Sequence, residues 1–234
     1  MPKRRRFLLV IAFIILANIV LVLYLYNRMR SDSNTYIYRW LNDPAARATL
    51  LTEQAEPCPG APFLLPSSGF VGLLWSDPAA PYTLFRRHSG IDIFGDGAPG
   101  SVPVVAAYDG WLTRLDDWFS TVIIRHNDPL NEGRIIWTYY THMGSRDGTH
   151  SFIDDAFPPG TSEVFVEQGT LLGYQGEYAG SGAGIALHVH FSIVTSGEDG
   201  SFNNEAIIGN TLDPSPYFGL PLRFEDRPAR PIRC

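Results

Sequence analysis

The chain has little cysteine, little charge for its length and, beyond its first thirty residues, no surplus of positive charge. Two cysteines in 234 residues, Cys58 and Cys234, exclude a disulfide-dense scaffold. Neither sits in a C-x-x-C pattern, so a cysteine zinc site is not expected. In an oxidising compartment the two could close a bridge that ties the C-terminus to the start of the folded region, and two separate thiols are the alternative. Charged residues make up 18% of the chain and hydrophobic ones 45%, a composition that suits a packed core rather than disorder. Six of the 18 basic residues precede Ser31 while all 24 acidic residues follow it, so the remainder carries a net charge of minus twelve. That balance excludes the basic footprint required of a nucleic-acid binder. Internal repeats and low-complexity tracts are also lacking.

The first thirty residues differ in kind from the rest. Lys3, Arg4, Arg5 and Arg6 are followed by an apolar run from Phe7 to Tyr26, in which Asn18 is the only strongly polar side chain. A helix of that length crosses the ~30 Å hydrocarbon core of a bilayer. A cleaved signal peptide would carry a shorter apolar region and small residues at its cleavage site. Here the run ends in Tyr24, Tyr26, Asn27 and Arg28, residues suited to the membrane interface. The denser basic cluster lies ahead of the span, which predicts a single-pass anchor with a cytoplasmic N-terminus and the remainder outside the cytoplasmic membrane.

After the anchor, Asp43 and Pro44 form a helix-start signature, and the sequence predicts a short juxtamembrane helix that Pro57 would end. Pro57, Pro59, Pro62 and Pro66 then stiffen the approach to the main domain. From Gly69 onward the chain breaks into short runs rich in β-branched and aromatic residues, such as "TVIIRH", "RIIWTYYTH" and "LHVHFSIV", separated by Gly, Pro, Asn and Asp. These predict an all-β domain, an antiparallel sandwich or barrel-like fold. The expected organisation is a basic tip and anchor over 1–30, a juxtamembrane helix and linker over 31–64, the main domain over 65–220 and a tail over 221–234.

Three short motifs on these strands carry candidate chemistry. In "LHVHF", strand alternation puts His188 and His190 on one side, ~7 Å apart along the chain, close enough to share or flank a metal. In "HSGID", His88 and Asp92 would be ~13 Å apart if fully extended, but Ser89 and Gly90 can turn the chain and bring them together. One imidazole from each motif plus the carboxylate makes three N/O ligands, the set of a catalytic zinc site. In "YYTH", Tyr140 and His142 would share a strand face, which makes His142 a candidate general acid or base beside the metal. Each motif alone is weak, because an isolated strand histidine is commonly a hydrogen-bonded structural residue.

The succession of H-x-x-x-D, Y-x-H and H-x-H resembles the lysostaphin-like zinc endopeptidases, the LytM domain. The likeness runs from about Leu65 to Phe218 and includes "LPSSGFV", "SVPVVAAYDGWLTRL", "VEQGTLLGYQGEYAGSGAG" and "LDPSPYF" in one order. The resemblance implies that His88, Asp92 and His190 hold one Zn2+ per chain. It also implies that His188 and His142 stand beside the metal, activating water and stabilising the transition state; spacing alone does not say which member of H-x-H is the ligand. Tyr140 is a candidate oxyanion donor, with packing as the alternative. His126 reads as structural and His150 as solvated.

This sequence departs from the pattern at Ser192, where many relatives carry a glutamate, so a carboxylate behind the site is expected to be missing. The stretch at 145–163 is long for a connection and is expected to border the substrate groove. Peptides of peptidoglycan are the implied substrate, and a membrane-held domain facing the cell wall suits them. A catalytically silent module that binds peptidoglycan and activates or recruits another hydrolase is the alternative, and an unrelated zinc hydrolase of small molecules is a third.

Overall fold

The computed structural model describes residues 3–52, 54–180, 182 and 184–234, without side chains at 3–6, 25 and 27–29. The side chains of the basic cluster Lys3–Arg6 and of Asn27 and Arg28 therefore lie outside the described residues. Helix α1 spans Lys3–Met29, and its window Phe7–Tyr24 has a mean hydropathy of 3.0. It is long and apolar enough to cross a membrane, a test that a signal sequence also passes.

Two short helices follow, α2 (Ser33–Asn42) and α3 (Pro44–Leu50). Asp43 caps α3 as expected, its side chain accepting from the backbone N–H groups of Ala45 and Ala46, with Pro44 at the first helical position. The helix ends before Pro57 is reached, because Thr52 pairs with Gly69 through both backbone bonds and pulls the chain into an extended course. Gly69 has φ +151°, and a Cβ there would lie 2.3 Å from the Phe94 carbonyl oxygen, so only glycine permits this pairing. Helix α2 was not expected. Its Trp40 is buried and stacks on Phe70 at 5.6 Å, in a cluster with Leu50 and Phe94.

The strands are β1 (Phe70–Val71), β2 (Ile91–Phe94), β3 (Pro103–Val105), β4 (Gly110–Thr113), β5 (Val122–Asn127), β6 (Ile135–Thr141), β7 (Val164–Val166), β8 (Leu171–Tyr174), β9 (Val189–Thr195) and β10 (Thr211–Leu212). All named pairs are antiparallel. The main sheet has eight strands in the order β1-β2-β9-β6-β5-β4-β7, with β10 also on β9, and β3 pairs with β8 in a second, two-stranded sheet. The fold is thus mostly antiparallel β, as the turn-punctuated runs predict.

β9 lies between β2 and β6, in a register that places Asp92 and Thr141 opposite His190 and, one residue along, Ile91 and Tyr140 opposite Phe191. Alternation sends the first row to one face and the second into the core with Phe218 and Leu222. Residues 221–234 pack rather than trail: Leu222, Phe224 and Ile232 are buried, Thr52 donates to the Ile232 carbonyl, and Cys234 is bonded to Cys58. Packing therefore runs across both of the expected boundaries, at 64/65 and 220/221.

Candidate metal centre

The sheet register does most of the assembly. Strand β2 delivers Asp92 directly opposite His190 on β9, and Gly90 lets the strands meet: a Cβ there would fall 2.1 Å from the Phe191 carbonyl oxygen. The turn through Ser89 and Gly90 folds His88 back, so that its Nε2 lies 3.1 Å from Asp92 Oδ1 and 3.0 Å from His190 Nδ1. His190 Nδ1 is 2.8 Å from the same carboxylate oxygen. His88, Asp92 and His190 are all buried.

Outer hydrogen bonds fix the protons on these rings. His88 Nδ1 faces the Leu74 carbonyl at 3.0 Å, and a carbonyl only accepts, so that nitrogen carries the hydrogen. On His190 it is Nε2 that donates, 2.9 Å from Glu205 Oε1 and 2.8 Å from Ser192 Oγ. In neutral rings, His88 Nε2, His190 Nδ1 and Asp92 Oδ1 then present three lone pairs to one another at 2.8–3.1 Å. Ligands at the usual ~2.1 Å from a tetrahedral zinc lie about 3.4 Å apart, a few tenths of an ångström wider than this triangle. Charge agrees with the geometry: Asp92 and Glu205 flank the two nitrogens of His190, and no lysine or arginine bonds to either carboxylate among the described residues. The donor set fits a divalent cation. Burial alone would raise the Asp92 pKa, but the neighbouring His88 and His188 outweigh it and hold the carboxyl well below its usual range.

His188 and His142 stand beside this triad. Their ring centres are 4.6 Å apart, and His188 Nε2 is 3.7 Å from Asp92 Oδ2. Each Nδ1 faces a carbonyl at 2.7 Å, Ala186 for His188 and Tyr178 for His142, so each keeps an unprotonated Nε2. Burial lowers both pKa values, that of His142 to about 3, with His188 adding to the effect. Both rings are therefore neutral at pH 7 without a metal.

Tyr140 does not join the site. It is fully buried, its hydroxyl accepts from the Ala107 N–H at 2.9 Å and from Thr138, and its ring packs edge-on against Phe191. The shared face expected for Tyr140 and His142 fails because the chain leaves strand geometry at His142, where φ is +76°. That turn carries the imidazole to the site while Tyr140 stays in the core. The phenols on the cavity lining are Tyr82, Tyr139 and Tyr178, the first with its ring 4.8 Å from His88.

Glu205 is the residue that motif reading missed. It comes from the loop after β9, bonds Ser89 Oγ at 2.6 Å and Ser192 Oγ at 3.3 Å as well as His190, and fills the place of the carboxylate expected to be missing at Ser192. A lone glutamate in a polar loop carries no local signal of that role. The stretch 145–163 does not line the cavity of about 420 Å³ above the site. Arg114 ties its middle inward through Ser151 and Phe157, and Gly148 lies under the ring of Tyr178, so it supports the lining from behind. Arg86, Arg87, Asp117, Trp118, Phe119 and Tyr178 take its place on the lining. His126, buried between the Asp109 carbonyl and Thr138 at 2.7 Å each, is a structural residue, and His150 is exposed.

Neither a family model nor a curated protein sequence matches the chain. Among solved structures, the NMR solution structure of lysostaphin is similar at 21% identity and a TM-score of 0.37, over 57% of this chain and 43% of lysostaphin. The chain thus spans less than half the length of that protein. A crystallised catalytic-domain mutant of the prophage-encoded M23 protein EnpA from Enterococcus faecalis is similar at 23% identity and a TM-score of 0.36, over 65% of this chain and 96% of that domain.

Proposed function

We propose that the chain is a membrane-anchored, zinc-dependent endopeptidase that hydrolyses peptide bonds of peptidoglycan, in cross-bridges or stem peptides. The observation that carries this reading is the convergence of three lone-pair atoms of His88, Asp92 and His190 beside two imidazoles whose Nε2 atoms are unprotonated. His88, Asp92 and His190 hold one Zn2+, which when bound supplies a Lewis acid for a peptide carbonyl and lowers the pKa of water.

The chain's own residues do the rest. His142 and His188 each offer an acceptor nitrogen: one takes the proton of the attacking water, and the imidazolium so formed returns it to the leaving amine. The other presents the same acceptor at Nε2 and orients the second hydrogen of that water; it can donate to an oxyanion only after Nε2 has taken up a proton. Positioned proton transfer of this kind is worth ~10²–10⁴-fold in rate. Glu205 and the Leu74 carbonyl orient the two ligand imidazoles, and the aromatic lining formed by Trp118, Phe119 and Tyr178 holds the substrate backbone. Helix α1 anchors the domain with its N-terminus in the cytoplasm, so that the cavity faces the cell wall.

Digestion of purified peptidoglycan by the full chain, with and without chelator, tests the proposal, with products identified by mass spectrometry. New amino termini that vanish with chelator and return with zinc are expected. A protein that retains one zinc but cleaves no peptidoglycan preparation would refute the enzyme and favour the silent binding module.

A further inference from the structure

Positive charge is scarce outside the anchor, yet four of the last twelve residues are arginines: Arg223, Arg227, Arg230 and Arg233. Two of them, Arg227 and Arg230, meet Arg30 around a cavity of about 230 Å³ that shares no lining residue with the cavity above the metal centre. Leu74 and Phe224 contribute its apolar lining, Ser31 and Tyr36 add hydroxyls, and Asp32 is the one carboxylate on it.

Arg230 is the half-buried cation there, its guanidinium 5.9 Å from the centre of the Tyr36 ring. Its two terminal nitrogens reach only carbonyls, those of Pro228 and Gly72, at 3.3 Å each, and its Nε is buried with no partner. Asp77 acts on it only through space, because the Asp77 oxygens already accept from Ser33 Oγ and the Ala79 N–H. A half-buried guanidinium without a bonded carboxylate is costly, and an anion entering the cavity would relieve that cost.

The position of the cavity identifies the anion. Arg30 directly follows α1, its N–H bonded to the Tyr26 carbonyl, and only residues 30–32 separate α1 from α2. Three residues reach at most ~10 Å. The apolar window of α1 ends at Tyr24, so the following helical turn and Arg30 fall at the depth of lipid headgroups when α1 spans a bilayer. Trp40 and the Ser33–Asp77 bond hold α2 onto the domain, which brings the C-terminal arginines to the same level.

We propose that this cavity binds the phosphate of an anionic membrane lipid through Arg30, Arg227 and Arg230, and so clamps the domain onto the membrane surface. The inference rests on α1 being a membrane span but not on the peptidase reading. Free phosphate shares the chemistry, and the test separates the two sources.

The full chain in neutral detergent is titrated with phosphatidylglycerol, phosphatidylcholine or inorganic phosphate while its unfolding midpoint is followed by tryptophan fluorescence. A saturable rise with phosphatidylglycerol alone is expected, with its apparent affinity weakened about fivefold for each of Arg227→Gln and Arg30→Gln. Arg230→Gln should abolish the rise; if that variant does not fold, the two exposed substitutions carry the test. An equal rise with inorganic phosphate would overturn the lipid assignment, and no rise with either anion would overturn the site. Retention of the chain in membranes after an alkaline wash reports on α1 separately, so an embedded chain with no lipid response refutes this inference alone.

Discussion

Replacing Glu205 tests how the candidate metal centre is held together. Its Oε1 accepts from His190 Nε2 at 2.9 Å and so keeps the lone pair of that ring on Nδ1, toward Asp92 and His88. Glu205→Gln keeps an acceptor of the same reach and removes only the charge, whereas Glu205→Ala removes both. Ser192 Oγ, 2.8 Å from the same nitrogen, remains as a neutral acceptor in either case. Loss of a partner behind a metal ligand costs about 10–100-fold in affinity, so zinc affinity should fall ~10-fold in Gln and toward ~100-fold in Ala. Adding Ser192→Ala to Glu205→Ala should exceed the second value, because Nε2 is then left buried without an acceptor. Competition with a chromophoric chelator at pH 7 measures each variant. Wild-type affinity in Glu205→Ala would refute the reasoning, as would equal losses in the single and double Ala variants.

Other substitutions address other parts of the molecule. His142→Ala should retain zinc and lose ~10²–10⁴-fold in peptidoglycan cleavage, and wild-type turnover would remove His142 from the reaction. Tyr140→Phe should lower stability by about 1–3 kcal/mol, because it strips the partner from the buried Ala107 N–H, and leave zinc affinity unchanged; a changed affinity would return Tyr140 to the site. Reducing Cys58–Cys234, which closes a loop of 176 residues, should cost about 2–5 kcal/mol in a urea titration, and an unmoved midpoint would show that the loop is held by packing alone. Burial pushes the His126 pKa down to about 4, so as pH falls from 6.5 toward 4 the unfolded chain takes up a proton that the folded chain refuses. Stability should decline by about 3 kcal/mol across that window, and a His126→Gln variant with the same pH slope would contradict this origin.

The legible parts of the sequence were those in which a short motif coincides with regular strand geometry. His188 and His190 share a side because a strand alternates, and His88 reaches Asp92 because Ser89 and Gly90 allow a turn. Where one residue breaks the regularity, pattern reading fails: the positive φ of His142 separates it from Tyr140 and leaves Tyr139 on the cavity lining. Contacts distant in sequence were equally hidden. Nothing local links Glu205 to Ser89, which lies 116 residues away, or stops α3 short of Pro57 except its pairing with Gly69. The segment at 31–64 and the final residues read as linker and tail because their burial depends on partners far along the chain, Phe70 and Phe94 for Trp40 and Thr52 for Ile232.

The bond between Cys58 and Cys234 also governs how the protein responds to proteolysis. Every strand, each metal-centre side chain and the loops that join the strands lie between those two positions, inside one covalent ring. A single backbone cut at any of those loops opens the ring but separates nothing, so the nicked molecule keeps its mass and its attachment to α1. Shedding the domain requires a cut upstream of Cys58, in the joint at 30–32, in α2 or α3 or in the short connection at Ala55 and Glu56, or a cut together with reduction. A protease that cuts only within the ring should therefore give one band without reductant and two with it.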